Sequence, residues 1–304
     1  MREALRARSG DASDYRELLM RCLVGVVLVA ALVASATPAV SAEGAAETHR
    51  YLEVNGSRIY VETFGSGAPL VFLHGGLLYF DNSFAKQKDY FATKRKVIGI
   101  DRPGHGHSPD NGRPFTYQAM ADDMAAVIEQ LGIGPVDVVG HSDGGNVGLI
   151  LAHDHPQLVR RLVISGANLT PGLPPDELQR RSQWSQQQLA EKVRQFEEKL
   201  PPNFRLDYQA VAPDGAGQWE KLLLKSYPLW LTPVVIEVAA LKSIQTPVLV
   251  IAGDKDFTSI EETVTLYRSL PKGQLLIVPG TGHMTFSDRA DLTNQAISEF
   301  LGPP

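Results

Sequence analysis

The chain has 304 residues, 43% of them hydrophobic and 21% charged, and a formal net charge of -5. This length and composition suit one well-buried α/β domain with an insertion, and the acidic balance without an extended Lys/Arg cluster excludes nucleic acid as a partner. Cys22 is the only cysteine, so an intrachain disulfide is excluded.

Residues 1–42 read as a secretory leader. Cys22 to Ala34 is an almost unbroken apolar run, short for spanning about 30 Å of hydrocarbon. Ala39-Val40-Ser41-Ala42 supplies small residues for cleavage after Ala42. The residues ahead of the run mix Arg2, Arg6, Arg8 and Arg16 with Glu3, Asp11, Asp14 and Glu17, whereas a signal n-region is basic without acids, so Met20 is an alternative start. An uncleaved N-terminal anchor is the competing reading. Cleavage predicts a secreted or periplasmic protein spanning 43–304 with no cysteine, and hence no thiol nucleophile.

Thr48 to Val54 and Arg58 to Phe64 read as strands joined by the turn Asn55-Gly56. Apolar runs then alternate with helical patterns. The strands are Leu70 to Leu73, Val97 to Ile100, Val136 to Val139, Leu162 to Ile164, the run from Pro247 and Leu275 to Val278; helices are expected over Phe84 to Phe91, Tyr117 to Leu131, Val147 to His153, Ile260 to Leu270 and Leu292 to Phe300. Strands apolar on both faces and separated by helices predict a mostly parallel sheet between helical layers. Pro171 to Ile244 differs: it holds Trp184, Trp219 and Trp230 and helical patterns such as Asp176 to Leu200. It reads as a helical cap inserted after the sixth strand, its aromatics either packing one another or roofing a pocket.

Four of the strand ends carry chemistry. Gly140-His141-Ser142-Asp143-Gly144 follows Val136–Val139 and precedes a helical stretch, the pattern of a sharp strand-to-helix turn that pushes Ser142 out of the sheet. Upstream, Leu70–Leu73 runs into His74-Gly75-Gly76; downstream, Val248–Ile251 runs into Gly253-Asp254-Lys255-Asp256, and Leu275–Val278 into Pro279-Gly280-Thr281-Gly282-His283. The order Ser, Asp, His is one of the three in which this chemistry recurs. With Asp101-Arg102-Pro103-Gly104-His105-Gly106-His107-Ser108 after a further strand, these segments resemble the α/β-hydrolase family from about Arg50 to Leu301. The resemblance implies that fold, with a helical cap after the sixth strand, and a serine hydrolase.

Ser142 is the candidate nucleophile and His283 its base, because a serine hydroxyl needs a proton acceptor within reach at neutral pH. Asp256 is the candidate orienting acid: relatives with Gly-Asp-x-Asp use the second carboxylate, leaving Asp254 to bond loop amides. Some relatives place the acid after the sixth strand, but Ser165-Gly166-Ala167-Asn168 offers none. Backbone N–H groups of Gly76 and Asp143 are the candidate oxyanion hole. His74 and His141 read as structural. His105 and His107 mimic a metal pair without nearby partners, so no metal site and no cofactor are expected.

The Asp143 carboxylate has two readings. In valacyclovir-hydrolase-like members Ser-Asp-Gly-Gly places an acid where a substrate ammonium binds; alternatively the side chain turns away and caps its own helix. The expected reaction is hydrolysis of a small-molecule ester or lactone through an acyl-enzyme. Aminopeptidase-like cleavage, with Asp176, Glu177 and Glu237 available for an amine, carbon–carbon hydrolysis and a non-catalytic ligand-binding role are the alternatives.

Overall fold

The computed structural model describes residues 47–215, 217–233 and 235–304. The expected leader, its cleavage after Ala42 and the alternative start at Met20 lie outside the described residues. Asn55 and Gly56, at φ 49° and 74°, form the tight turn between β1 (Thr48–Val54) and β2 (Ser57–Phe64). The remaining strands are β3 (Pro69–Leu73), β4 (Lys96–Asp101), β5 (Val136–His141), β6 (Val159–Ser165), β7 (Val248–Gly253) and β8 (Gly273–Val278). They form one sheet in the order β1-β2-β4-β3-β5-β6-β7-β8. β2 runs antiparallel to both neighbours, and every pairing from β4 onward is parallel.

Adjacent residues of a strand point to opposite faces, and here both faces are buried. In β3, Val71 and Leu73 belong to one apolar cluster, Leu70 and Phe72 to the other. The second cluster is closed by Phe80, Phe84 and Phe91 of α1 (Phe80–Ala92). The first is closed by Met120, Met124 and Ile128 of α2 (Tyr117–Leu131) and by Val147 and Leu151 of α3 (Asp143–Asp154). Thr116 starts α2 by accepting the Ala119 N–H at 3.1 Å, and Gly132, at φ 64°, ends it.

Between β6 and β7 come α4 (Pro175–Ser182), α5 (Gln186–Glu197), α6 (Pro202–Val211), α7 (Gln218–Leu229) and the single turn α8 (Val238–Leu241). The helical pattern expected over Asp176 to Leu200 is two helices. Ser185 interrupts it: its hydroxyl accepts the Gln188 N–H and the Gln188 side chain accepts the Ser185 N–H, a reciprocal cap that begins α5. After β7 follow α9 (Ile260–Ser269), the single turn α10 (Thr285–Asp288) and α11 (Ala290–Leu301).

The sheet also buries a charge. Asp137, fully buried in β5, accepts from Arg95 Nη1 at 2.9 Å and from Arg160 Nε at 2.9 Å, while Arg95 Nη2 reaches the Gly302 carbonyl at 2.8 Å. Removing the carboxylate strands the desolvated Arg95 guanidinium. Asp137→Ala is expected to cost about 3–5 kcal/mol, read as a lower denaturant midpoint. Asp137 stands at the end of β5 opposite Ser142, so turnover per folded molecule should be kept.

Candidate active site

The carboxyl ends of β3, β5, β7 and β8 converge at one side of the sheet, where ligands of such folds bind. Ser142 bridges β5 and α3 at φ 53° and ψ −120°, a conformation few residues other than glycine adopt. Its N–H donates to Ser165 O at 2.7 Å, and its carbonyl accepts from Gly145 and Asn146 N–H at 2.8 and 3.1 Å. The turn is too tight for side chains on either flank: a Cβ on Gly140 would lie 2.3 Å from Gly144 O, and one on Gly144 1.9 Å from Leu73 O.

His283 enters from the loop after β8. Its Nδ1 donates to Asp256 Oδ1 at 2.9 Å, leaving Nε2 as the free ring nitrogen for proton transfer in that tautomer. Asp256 Oδ1 also accepts the Thr258 N–H at 3.2 Å. Asp254 instead accepts from Gly280 and Thr281 N–H at 2.6 and 3.2 Å, fastening the His283 loop. The region after β6, which offers no acid, makes room: a Cβ on Gly166 would lie 2.7 Å from His283 Cε1 and 3.4 Å from Asp256 Oδ2.

Two further histidines hold the backbone. His141 Nε2 donates to the His283 carbonyl at 3.0 Å; burial and the neighbouring His283 push its pKa down to about 3, so the ring is neutral at working pH. His74 Nε2 accepts the Arg102 N–H at 3.0 Å and its Nδ1 reaches the Gly75 carbonyl at 2.8 Å; burial and the Arg102 charge hold it neutral too. Both are structural, as expected. His105 and His107 are not a pair: His105 is buried against His74 and Phe115, whereas His107 turns back to Asp101. The expectation that His107 lacks partners is therefore corrected, because Asp101 and, from β2, Glu62 stand beside it.

Asp143 takes neither of the two positions considered for it. Its Oδ1 accepts the Tyr117 hydroxyl at 2.8 Å and its Oδ2 accepts Trp230 Nε1–H at 2.9 Å. The carboxylate thus neither caps α3 nor stands open to an amine. Burial first, then Asp143, raises the Tyr117 pKa well above its usual value, which keeps the phenol a donor. As the first residue of α3, Asp143 has a backbone N–H without an intrahelical acceptor.

Gly76, Ser142, Asp143 and His283 line one cavity of ≈ 290 Å³ together with Leu77, Tyr117, Asn168, Pro171, Phe196, Leu200, Phe204, Trp230 and Phe257. Sequence reasoning missed Leu77, held at φ 59°, and Phe257, 76% exposed with its ring 4.2 Å from that of His283. Their positions beside Gly76 and Asp256 were the available signal. A wider groove of ≈ 840 Å³ between α5, α6 and α7 contains none of the candidate residues.

A family model described as alpha/beta hydrolase fold matches residues 68–234, more than half of the chain. The chain belongs to the alpha/beta hydrolase fold family. It is 30% identical to the sn-1-specific diacylglycerol lipase ABHD11 of Mus musculus, over 76% of this chain and 80% of that one. It is 26% identical to the 2-hydroxymuconate semialdehyde hydrolase of Pseudomonas sp. strain CF600, over 84% and 94%. A thermophilic esterase from Thermogutta terrifontis superposes with a TM-score of 0.63 at 22% identity, covering 84% of this chain and 98% of that one, a likeness of fold. With such relatives along most of its length, the chain is an enzyme of the hydrolase class acting on a small molecule.

The Asp143 contacts make a checkable unit within this hydrolase. Tyr117→Phe removes one donor to a buried carboxylate and no ring volume, so it should lower stability by about 1.5–3 kcal/mol. Combined with Trp230→Phe in a double-mutant cycle by chemical denaturation, the two losses should be non-additive by more than about 0.5 kcal/mol.

Proposed function

We propose that the chain is a serine hydrolase that cleaves a small, uncharged ester or lactone through an acyl-enzyme. The carrying observation is the cavity lining. Among the described residues that line it there is no Lys or Arg, most are apolar, and the one carboxylate, Asp143, already has a donor on each oxygen. Such a wall favours an apolar acyl group and gives no cation to a substrate that carries its own carboxylate. Nor do Asp176, Glu177 or Glu237, the acids considered for an amine, line the cavity, and Glu177 is paired with Arg180 and Arg181. The lipase among the relatives supports ester cleavage.

In this reading Ser142 Oγ attacks the carbonyl carbon as His283 Nε2 takes its proton, with Asp256 stabilising the imidazolium. The negative oxygen is met by backbone N–H groups of Asp143 and Gly76, each worth roughly 3–4 kcal/mol in the transition state. The imidazolium protonates the leaving alkoxide; water, deprotonated by His283, then releases the acid and restores Ser142. The role requires neither metal nor cofactor, and the leader-like residues 1–42 make an exported location part of the proposal.

p-Nitrophenyl esters of increasing acyl length test it. Release should favour neutral acyl chains over an ester bearing a terminal carboxylate. It should fall by about 10⁴-fold or more in kcat for Ser142→Ala and by about 10⁴-fold for Asp256→Asn. Equal turnover by Ser142→Ala would overturn the assignment.

A further inference from the structure

The sheet changes direction at β2 and β4, and their register sets Tyr60 opposite Asp101 and Glu62 opposite Gly99. The loop after β4 then folds back. His107 N–H and ring Nδ1 approach Asp101 Oδ2 at 3.0 and 2.9 Å, while Asp101 Oδ1 accepts the Phe80 N–H at 2.8 Å. The imidazole is held in one plane by Tyr60, stacked on it at 4.3 Å, and Tyr79, edge-on at 5.9 Å. Glu62 completes the group from β2. It is 3% exposed, and its Oε1 has no hydrogen-bond partner.

A bare carboxylate oxygen in a buried site is costly, and a second carboxylate beside it raises the cost. Asp81 and Asp101 are the carboxylates near Glu62. Lys88 and His107 are the cations facing it, and Lys88 is bonded to Asp81. One ligand atom from each of Glu62, Asp101 and His107 lies within 4.8 Å of the others. The donors are one imidazole nitrogen and two carboxylate oxygens, a set suited to Zn²⁺ among divalent ions. Two ligands of one tetrahedral ion at bonds of about 2.0–2.2 Å stand about 3.4 Å apart, so an ion entering here widens the 2.9 Å hydrogen bond between His107 Nδ1 and Asp101 Oδ2 by about 0.5 Å.

We propose that Glu62, Asp101 and His107 form a Zn²⁺ site separate from the catalytic cavity. The ion takes the place of the hydrogen between Asp101 and His107, with the proton released to solvent, and it binds a carboxylate oxygen of Glu62 as its third protein ligand. It ties β2 to β4 and to the 101–108 loop. That loop also holds the inserted helices, since the Tyr208 hydroxyl donates to Gly104 O at 2.8 Å. The ion's role is to brace this corner; it takes no part in acyl transfer.

Isothermal titration of the untagged, chelator-stripped full chain with ZnCl₂ tests the site, followed by thermal unfolding with and without Zn²⁺. The expected result is one saturable site per chain and a Zn²⁺-dependent rise in Tm. Glu62→Gln, which keeps shape but loses the charge, should weaken Kd by about 100-fold or more and abolish the Tm rise, while p-nitrophenyl ester turnover stays unchanged. His107→Gln should weaken binding likewise, whereas His155→Gln, at an exposed pair with Asp122, should not. Absence of saturable binding, or equal affinity in Glu62→Gln and the parent chain, overturns the proposal.

Discussion

The backbone of Ser142 is the constraint around which the molecule is arranged. Holding a serine at φ 53° and ψ −120° costs of order 1–3 kcal/mol, and the turn persists because its surroundings allow nothing else. The hydrogen bond from Ser142 N–H to Ser165 O ties it to the next strand, and the bare Cα of Gly144 lies against the carbonyl of Leu73. The strain has a geometric return. It lifts the hydroxyl off the sheet and starts α3 immediately, so the unpaired N–H groups of a helix N-terminus stand beside the same atom.

A second loop must meet that fixed point, and most of the polar contacts nearby serve it. His283 is placed by its neighbours as much as by its own ring: His141 grips its carbonyl, Asp254 fastens Gly280 and Thr281, and Asp256 takes Nδ1. His141 donates to this carbonyl from a ring that burial and the nearby His283 keep neutral, so the anchor adds no second positive charge beside the base.

The succession of strands along the chain and the contents of their carboxyl ends were legible because the central strands β3, β4, β5 and β7 are buried on both faces and so read as apolar runs, as the less buried β8 does too. Ser142, His283, Asp256 and Gly76 stand out for the same reason: each follows such a run. What escaped has a physical reason as well. The cap formed by Ser185 and Gln188 divides a helical pattern whose periodicity continues across it, so the break shows only as a local hydrogen-bond choice. Phe257, beside the acid, is recognisable only once its ring lies on His283. The partners of Asp143 come from α2 and from the end of α7, far apart in the chain. Neighbouring residues alone therefore left two positions open for that carboxylate, and the fold supplied a third. Glu62 and His107 repeat the lesson, since a β2–β4 register brings them together and no spacing announces it.

The third position of Asp143 has consequences for how the enzyme opens. A carboxylate beside the nucleophile in an apolar cavity has to be solvated by the protein, and the two donors are not equivalent. Tyr117 belongs to a helix packed in the main core, whereas Trp230 belongs to the segment inserted between β6 and β7. Any motion that lifts Trp230 away leaves one carboxylate oxygen without its donor, at a cost of about 1.5–3 kcal/mol unless water or substrate replaces it. Phe257, by contrast, is mostly exposed and lies at the His283 side of the cavity. Turning its side chain breaks no hydrogen bond of the site. Physical cost therefore favours passage past Phe257 over lifting Trp230.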